Sequence, residues 1–464
     1  MKALTLRSMT LRSMTLRSLS SSWSLLCCLT GALLAVGCGE DAANTGPDDS
    51  VTGRLRPTPC SADLGPGTIC TLVGAGNSME AGYAGDDGPA IEALLSFPQD
   101  TLTASDGTMY LLDWNNHRIR KVVDGTILHV AGRGELGGTL DDPANSDFNH
   151  PTGMLFTPDE TRMLVAAWHN SKVRTLDLAS TEIVDTCGDG RRAYWGDGGP
   201  ALTASLDLPA SVAWDPERNL VILDQANQAL RRVDGAGNIH TLYGKCVVDA
   251  APPSGPGPCA EGQAPTLCPA LNGSASGKYT CGDPALTCLN PCTPGYGGDE
   301  GPATEMRIAQ PFGQSADPGG RMLFAPDGTL YFADTSNALI RRITPDGIVH
   351  RVAGLPPEGR DIHSGYSGDG GPALEAELNN PVDLALAEDD TLYFTDTYNH
   401  CVRAIAPDGI IRTVAGQCGQ RGDVGDGGPA EQALLSRPYG LELVGDRLVV
   451  SDTGNNRIRA VQLR

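Results

Sequence analysis

The sequence predicts an all-β chain: a six-bladed β-propeller with four-stranded blades, closed by an N-terminal strand that completes the last blade. Two observations carry this. One motif recurs six times, and a strand missing at the C-terminus is present at the N-terminus. Clear copies of Gly-Asp-x-Gly-Pro-Ala begin at Gly85, Gly196, Gly298, Gly368 and Gly425, and a degenerate copy, Leu140-Asp141-Asp142-Pro143-Ala144, fills the gap between the first two. In the clear copies the fourteenth residue is a proline: Pro98, Pro209, Pro311, Pro381 and Pro438. The weak copy reaches Pro151 two residues early. A spacing of about 56 residues, lengthened by insertions, marks a repeat architecture rather than a string of independent domains.

Each repeat encodes four short strands. In the fifth copy, Leu384-Ala385-Leu386 passes through an acidic turn at Asp389-Asp390 into Thr391-Leu392-Tyr393-Phe394-Thr395. The segment Thr397-Tyr398-Asn399-His400 interrupts the pattern before Cys401-Val402-Arg403-Ala404-Ile405. Pro407-Asp408-Gly409 then turns the chain into Ile410-Ile411-Arg412-Thr413-Val414-Ala415. Short β-rich runs bounded by turn residues read as antiparallel strands. A four-stranded blade cannot bury both faces alone, so blades stack around an axis. The last copy ends after Arg457-Ile458-Arg459-Ala460-Val461 without a fourth strand, whereas Thr68-Ile69-Cys70-Thr71-Leu72-Val73-Gly74 matches the fourth-strand pattern of Ile127-Leu128-His129-Val130-Ala131-Gly132. Joining the two removes two open sheet edges.

The stretches Tyr110-Leu111-Leu112-Asp113-Trp114-Asn115-Asn116-His117-Arg118-Ile119-Arg120, Tyr393-Phe394-Thr395-Asp396-Thr397-Tyr398-Asn399-His400 and Val450-Ser451-Asp452-Thr453-Gly454-Asn455-Asn456-Arg457-Ile458-Arg459 resemble NHL repeats. The resemblance covers roughly residues 68 to 464 apart from one insert and implies a six-bladed propeller. It does not imply one task, because NHL propellers serve as protein-binding, RNA-binding, sensor and enzyme domains.

The organisation expected is a signal peptide over residues 1–37, a flexible tether over 38–59, a propeller over 60–464, and a Cys/Pro/Gly-rich insert over 245–295 between blades three and four. Lys2, Arg7, Arg12 and Arg17 precede an apolar run ending in Leu34-Ala35-Val36-Gly37-Cys38. This resembles a bacterial lipoprotein signal, with Cys38 as the acylated residue. The run is short for a membrane span. Gly39 after the cysteine implies, by the same resemblance, an outer-membrane lipoprotein of the cell envelope; secretion is the alternative. Residues 1–37 hold four basic residues and no acid, so without them 30 basic residues face 56 acidic ones, a net charge of −26. Nucleic acid is excluded as a partner by that balance.

Of the 14 cysteines, 11 remain after Cys27, Cys28 and Cys38 are set aside. An exported chain favours disulfides. Cys60 with Cys70 would clip the closing strand, and Cys401 with Cys418 would join neighbouring strands of blade five. Cys246, Cys259, Cys268, Cys281, Cys288 and Cys292 lie in or beside the insert, with the pairing left open. Cys187 is the odd one, expected buried in a strand. The insert has no histidine, which disfavours zinc at Cys288 and Cys292.

Candidate binding residues fall in two groups on the loop face, where the Gly-Asp-x-Gly segments are also expected. Tyr83, Tyr194, Tyr296 and Tyr366, with Trp195, either pack beneath their glycine turns or form a stacking platform for sugars or peptide side chains. The motif aspartates Asp86, Asp197, Asp299, Asp369 and Asp426 stabilise turns or, alternatively, hold calcium or another divalent cation. Asp113, Asp224, Asp334, Asp396 and Asp452 recur at strand ends and read as structural. The residues before the landmark prolines, Phe97, His150, Leu208, Gln310, Asn380 and Arg437, should ring the channel mouth. Some NHL propellers are lyases holding zinc through several histidines, and related folds are metal-dependent lactonases. Here His117, His169 and His400 are expected apart from His150, so no zinc site is expected. No Gly-x-Ser-x-Gly elbow occurs, although a Ser/His/Asp triad can assemble from distant positions. The expectation is a non-enzymatic, membrane-anchored scaffold without a cofactor, binding a protein, peptide or glycan through candidates Tyr83, Tyr194, Trp195, Tyr296, Tyr366, His150, Gln310, Asn380 and Arg437. A metal-dependent lyase or lactonase acting in the channel is the alternative, and a purely structural envelope protein the third reading.

Overall fold

The computed structural model describes residues 57–60, 64–76, 79–134, 148–245, 265–267, 279–281, 292–312, 316–359 and 361–463. The expectations for the signal, the lipidated Cys38, most of the tether, the weak repeat copy and Cys246, Cys259, Cys268 and Cys288 lie outside the described residues. Of Cys281 only its place in the strand Tyr279–Cys281 is described.

Six four-stranded antiparallel blades form the ring. Their innermost strands are Pro98–Thr103, Pro151–Phe156, Pro209–Trp214, Met322–Phe324, Pro381–Leu386 and Leu441–Val444. The landmark prolines start four of these strands, where the lost N–H costs least. Blade six comprises Leu441–Val444, Arg447–Asp452, Arg457–Gln462 and the N-terminal Ile69–Val73, which pairs antiparallel with Arg457–Gln462 through Ile69 opposite Val461. Cys60 and Cys70 form a disulfide at this closure, and Cys401 and Cys418 form one in blade five. Cys292 is disulfide-bonded, and Cys187 is free and buried. Six apolar clusters each fill one interface between neighbouring blades; the sixth joins Val73, Val449 and Ile458 of blade six to Leu95, Leu111 and Ile127 of blade one.

One expectation is corrected. The Gly-Asp-x-Gly-Pro-Ala segments run beside the outermost strands instead of gathering with the loops. Gly88–Pro89 pairs with Thr126–Ala131, and Pro200, Pro302, Pro372 and Pro429 bridge Asn238, Ile348, Ile410 and Thr68. Each segment thereby covers a sheet edge that would otherwise be open. The first glycine is required by geometry. At Gly425 φ is +108°, and an added Cβ would lie 2.5 Å from the Cα of Ala433. Only glycine tolerates both conditions.

Blade four departs from the repeat. Its landmark Pro311 is separated from the strand Met322–Phe324, and both Pro311 and Asp317 are held by side chains of other blades. Gln225 of blade three donates from Nε2 to the carbonyls of Pro311 and Asp317, while Arg437 of blade six donates to the Asp317 carboxylate.

Deleting residues 60–76 is expected to abolish the cooperative thermal transition followed by circular dichroism, because Arg457–Gln462 would become a bare edge. A monomeric deletion product that melts cooperatively would contradict the closure.

Candidate functional site

A repeated ionic bridge holds each loop in place. In five blades a fully buried arginine of the third strand, Arg120, Arg231, Arg341, Arg403 or Arg459, reaches the motif aspartate, Asp86, Asp197, Asp299, Asp369 or Asp426, at 2.6 to 2.7 Å. The same guanidinium lies 3.2 to 3.4 Å from the strand-end aspartate Asp113, Asp224, Asp334, Asp396 or Asp452. That second aspartate accepts an N–H from Ser96, Asp207, Ala309, Asn379 or Ser436. It also accepts the amide of Asn116, Asn227, Asn337, Asn399 or Asn455. Burial lifts Asp113, Asp334 and Asp396 to about 6 and Asp224 to about 7, against the lowering pull of these donors. Blade two has Ala167 at the strand end, and Arg174 instead pairs with Asp185 at 3.0 Å.

The tyrosines belong to this bridge. Tyr83, Tyr194, Tyr296 and Tyr366 each donate a hydroxyl hydrogen bond to the motif aspartate three residues on. Their rings lie 5.1 to 5.5 Å from the guanidinium carbon of the bridging arginine, within cation–π range. They stand at the outer edge of the blades: Tyr194 contacts Thr241, and Tyr366 contacts Thr413, both on outermost strands. Trp195 lies there too, its carbonyl accepting from Arg231. The outer group is therefore separated from the residues at the channel mouth.

At the mouth, the loops between second and third strands end in a left-handed residue. His117, Ser171, Gln228, Ala338, His400 and Asn456 occupy this place, with φ between 53° and 60°. Four of these side chains take the N–H of the residue before the next blade's proline: His117 from His150, Gln228 from Gln310, His400 from Arg437, and Asn456 from Phe97. A second inter-blade bond comes from the first loop residue, with Thr335, Thr397 and Thr453 donating to the carbonyls of Pro381, Pro438 and Pro98. In blades one, two and three that position holds Trp114, Trp168 and Gln225. One half of the mouth thus replaces a threonine hydrogen bond with two indoles and an amide. Leu208 and Gln310 are fully buried, and Gln310 spends its amide on Ala333 and Gly320. Asn380 is half-buried.

Here the histidine expectation is corrected. His117 and His169 both converge on His150, with ring centroids at 4.2 and 4.7 Å; His400 alone stays apart. Neighbouring blades bring together residues distant in sequence. Trp114 lies 4.4 Å from His150 and Trp168 stacks on His169 at 4.2 Å. The tautomers follow from the partners. His117 Nδ1 accepts the His150 N–H, so its proton sits on Nε2. His150 Nδ1 is 2.8 Å from the Asn149 side-chain oxygen and therefore carries a proton. His169 Nδ1, 3.0 Å from His150 Nδ1, then accepts, which leaves the His169 proton on Nε2. That atom and Trp114 Nε1 are buried without hydrogen-bond partners. Burial, reinforced by the neighbouring imidazoles, pushes His150 down to about 3; burial, with Arg192 nearby, pushes His169 down to about 4. The three rings form a neutral hydrogen-bonded cluster, and among the described residues no three His, Cys, Asp or Glu side chains stand as a metal-binding group.

Across the mouth, Tyr398 and Arg437 both donate to Asp317, with Arg437 Nη2 3.1 Å from the carboxylate and 2.9 Å from the Tyr398 hydroxyl. Phe97 and Phe312 are exposed, at 37% and 55%.

A model of the teneurin NHL domain matches residues 66–261. Protein SUPPRESSOR OF QUENCHING 1, chloroplastic, of Arabidopsis thaliana is 25% identical over 73% of this chain, and Teneurin-1 of Gallus gallus is 26% identical over 74%. The chain spans only 27% and 14% of these relatives' lengths. Among solved structures, a protein of unknown function from Bacteroides thetaiotaomicron aligns with a TM-score of 0.55 at 16% identity, covering 84% of this chain and 74% of that one. An auxiliary nutrient binding protein of the same organism aligns with a TM-score of 0.53 at 14% identity, covering 84% and 75%. Repeat, closure and fold together make this chain a six-bladed β-propeller whose repeats are similar to those of NHL domains.

Replacing Arg403 by Met strands two carboxylates, one of them fully buried, and should cost about 3–5 kcal/mol. The matching change at Arg174, whose partner Asp185 is partly exposed, should cost distinctly less; urea denaturation compares the two. A second outcome concerns acid. The unfolded histidines bind protons near pH 6.5, whereas folded His150 and His169 resist until about pH 3 and 4. Their contribution is therefore complete above pH 6.5 and is lost as pH falls toward 4. Imidazole NMR signals of both should remain in the neutral form at pH 5, and His150→Gln should lessen the fall in urea midpoint between pH 7 and pH 5.

Proposed function

We propose that this propeller is a binding scaffold of the bacterial envelope whose loop-side mouth takes a peptide or glycan. The carrying observation is the replacement of the repeat's threonine by Trp114, Trp168 and Gln225 on one half of the mouth. The threonine bond suffices to join blades elsewhere, so ring closure alone does not call for indoles. Trp168 is buried and supports His169, while half-buried Trp114, with His150, offers an aromatic face. Aromatic faces suit the apolar side of a sugar or a peptide side chain. Opposite, the Tyr398, Arg437 and Asp317 group adds a polar rim. The nutrient-binding description of one structural neighbour agrees with this reading. Anchoring through Cys38, which rests on the lipobox resemblance, would hold the mouth at the cell envelope.

Glycan-array and peptide-array screening followed by calorimetry tests the reading. For the strongest hit, Trp114→Ala should raise Kd about tenfold or more, equivalent to about 1.4 kcal/mol. Unchanged affinity in Trp114→Ala and in Arg437→Ala, with both variants folded, would remove the mouth as the site.

A further inference from the structure

We infer that the channel holds a second binding site, on the side away from the loops, for an organic cation: an ammonium group carried on a small apolar body. The innermost strands run away from the loops, since Pro98 faces Asp113 beside the loop and Thr103 faces Met109 at the far turn. Their far halves line a partly open cavity of about 330 Å³, at the lower end of small-molecule sites. The apolar part of its wall comes from four blades, through Leu102, Met154, Val212, Trp214, Met322 and Phe324.

The inner end is acidic. Four inner strands carry a register shift just after their landmark proline, between Pro98 and Asp100, Pro151 and Gly153, Pro209 and Ser211, and Pro381 and Leu384. Asp100 and Asp383 share this level with Arg321 of blade four. Arg321 Nη1 is 2.5 Å from Asp100 but 3.9 Å from Asp383, and its Nη2 is spent on the carbonyls of Gln99 and Thr152. Glu442 lines the same cavity, accepting from the Thr103 N–H and hydroxyl. Two carboxyl groups thus share one guanidinium, and a third lines the same cavity. Burial raises all three, with Asp383 at about 7. Thr101, 4% exposed on the cavity wall, sets its hydroxyl beside the Glu442 carboxyl.

A positive guest would balance the surplus carboxyls, and buried unlike charges interact strongly at such separations. A hard metal ion is disfavoured because calcium needs six to eight oxygen ligands, whereas most of this wall is hydrocarbon. An ammonium with an apolar body matches both parts: the head at Asp383 and the Thr101 hydroxyl, the body against Met154, Val212 and Phe324.

Calorimetry with 2-phenylethylamine and n-hexylamine, against n-hexanol and hexanoate as neutral and anionic controls, tests this on the full chain. The amines should bind and the controls should not. Asp383→Asn should weaken amine binding tenfold or more, and Leu102→Trp, which enlarges a partly exposed side chain of the cavity wall, should abolish it with the circular dichroism spectrum unchanged. If Asp383→Asn does not fold, Leu102→Trp decides. No amine binding, equal binding of hexanol, or amine binding that survives Leu102→Trp would overturn the assignment.

Discussion

The buried arginine that joins two aspartates is the interaction on which the ring depends. Its guanidinium ties the segment along the outer edge to the end of the second strand, so one side chain fixes inner and outer parts of a blade. Burying such a group is tolerable only when its hydrogens are taken. Arg403 meets that condition through Asp369, Asp396 and the carbonyls of Glu377 and Ser367. The recurring Gly-Asp, Tyr and Asn residues are therefore parts of one device: Gly allows close approach, Tyr stacks and donates, and Asn completes the second carboxylate.

Because that device lies away from the axis, the mouth is free to vary. Inter-blade bonds there come in two forms, a threonine to a proline carbonyl and a left-handed loop residue accepting an N–H, and blades five and six make both. Blades four, five and six keep the threonine, while blades one and two replace it with tryptophan and retain cohesion through aromatic contacts. The opposite end of the channel has a different character. There Arg321 of blade four meets Asp383 of the adjoining blade five and Asp100 of blade one across the axis.

Much of this was legible in the chain. Period, strand count and closing strand depend on local patterns, and the Cys60–Cys70 and Cys401–Cys418 pairs follow once strands are placed. The histidine cluster was not legible, since His117, His150 and His169 come from different blades and loop positions. A signal was nonetheless present: setting the repeats side by side shows Trp114 and Trp168 where Thr335, Thr397 and Thr453 stand. The tyrosines were read as a choice between packing and stacking, and only the geometry showed their hydroxyls bound to aspartate.

What the sequence by itself determined is the ring: recurrence at a nearly constant spacing dictates identical sheets, and sheets with two apolar faces bury them only by stacking in a circle. What only the tertiary structure decided is where chemistry gathers. Whether three imidazoles touch, or two carboxyls share one arginine, depends on the angle at which successive blades meet, and those distances of a few ångströms have no counterpart in residue spacing.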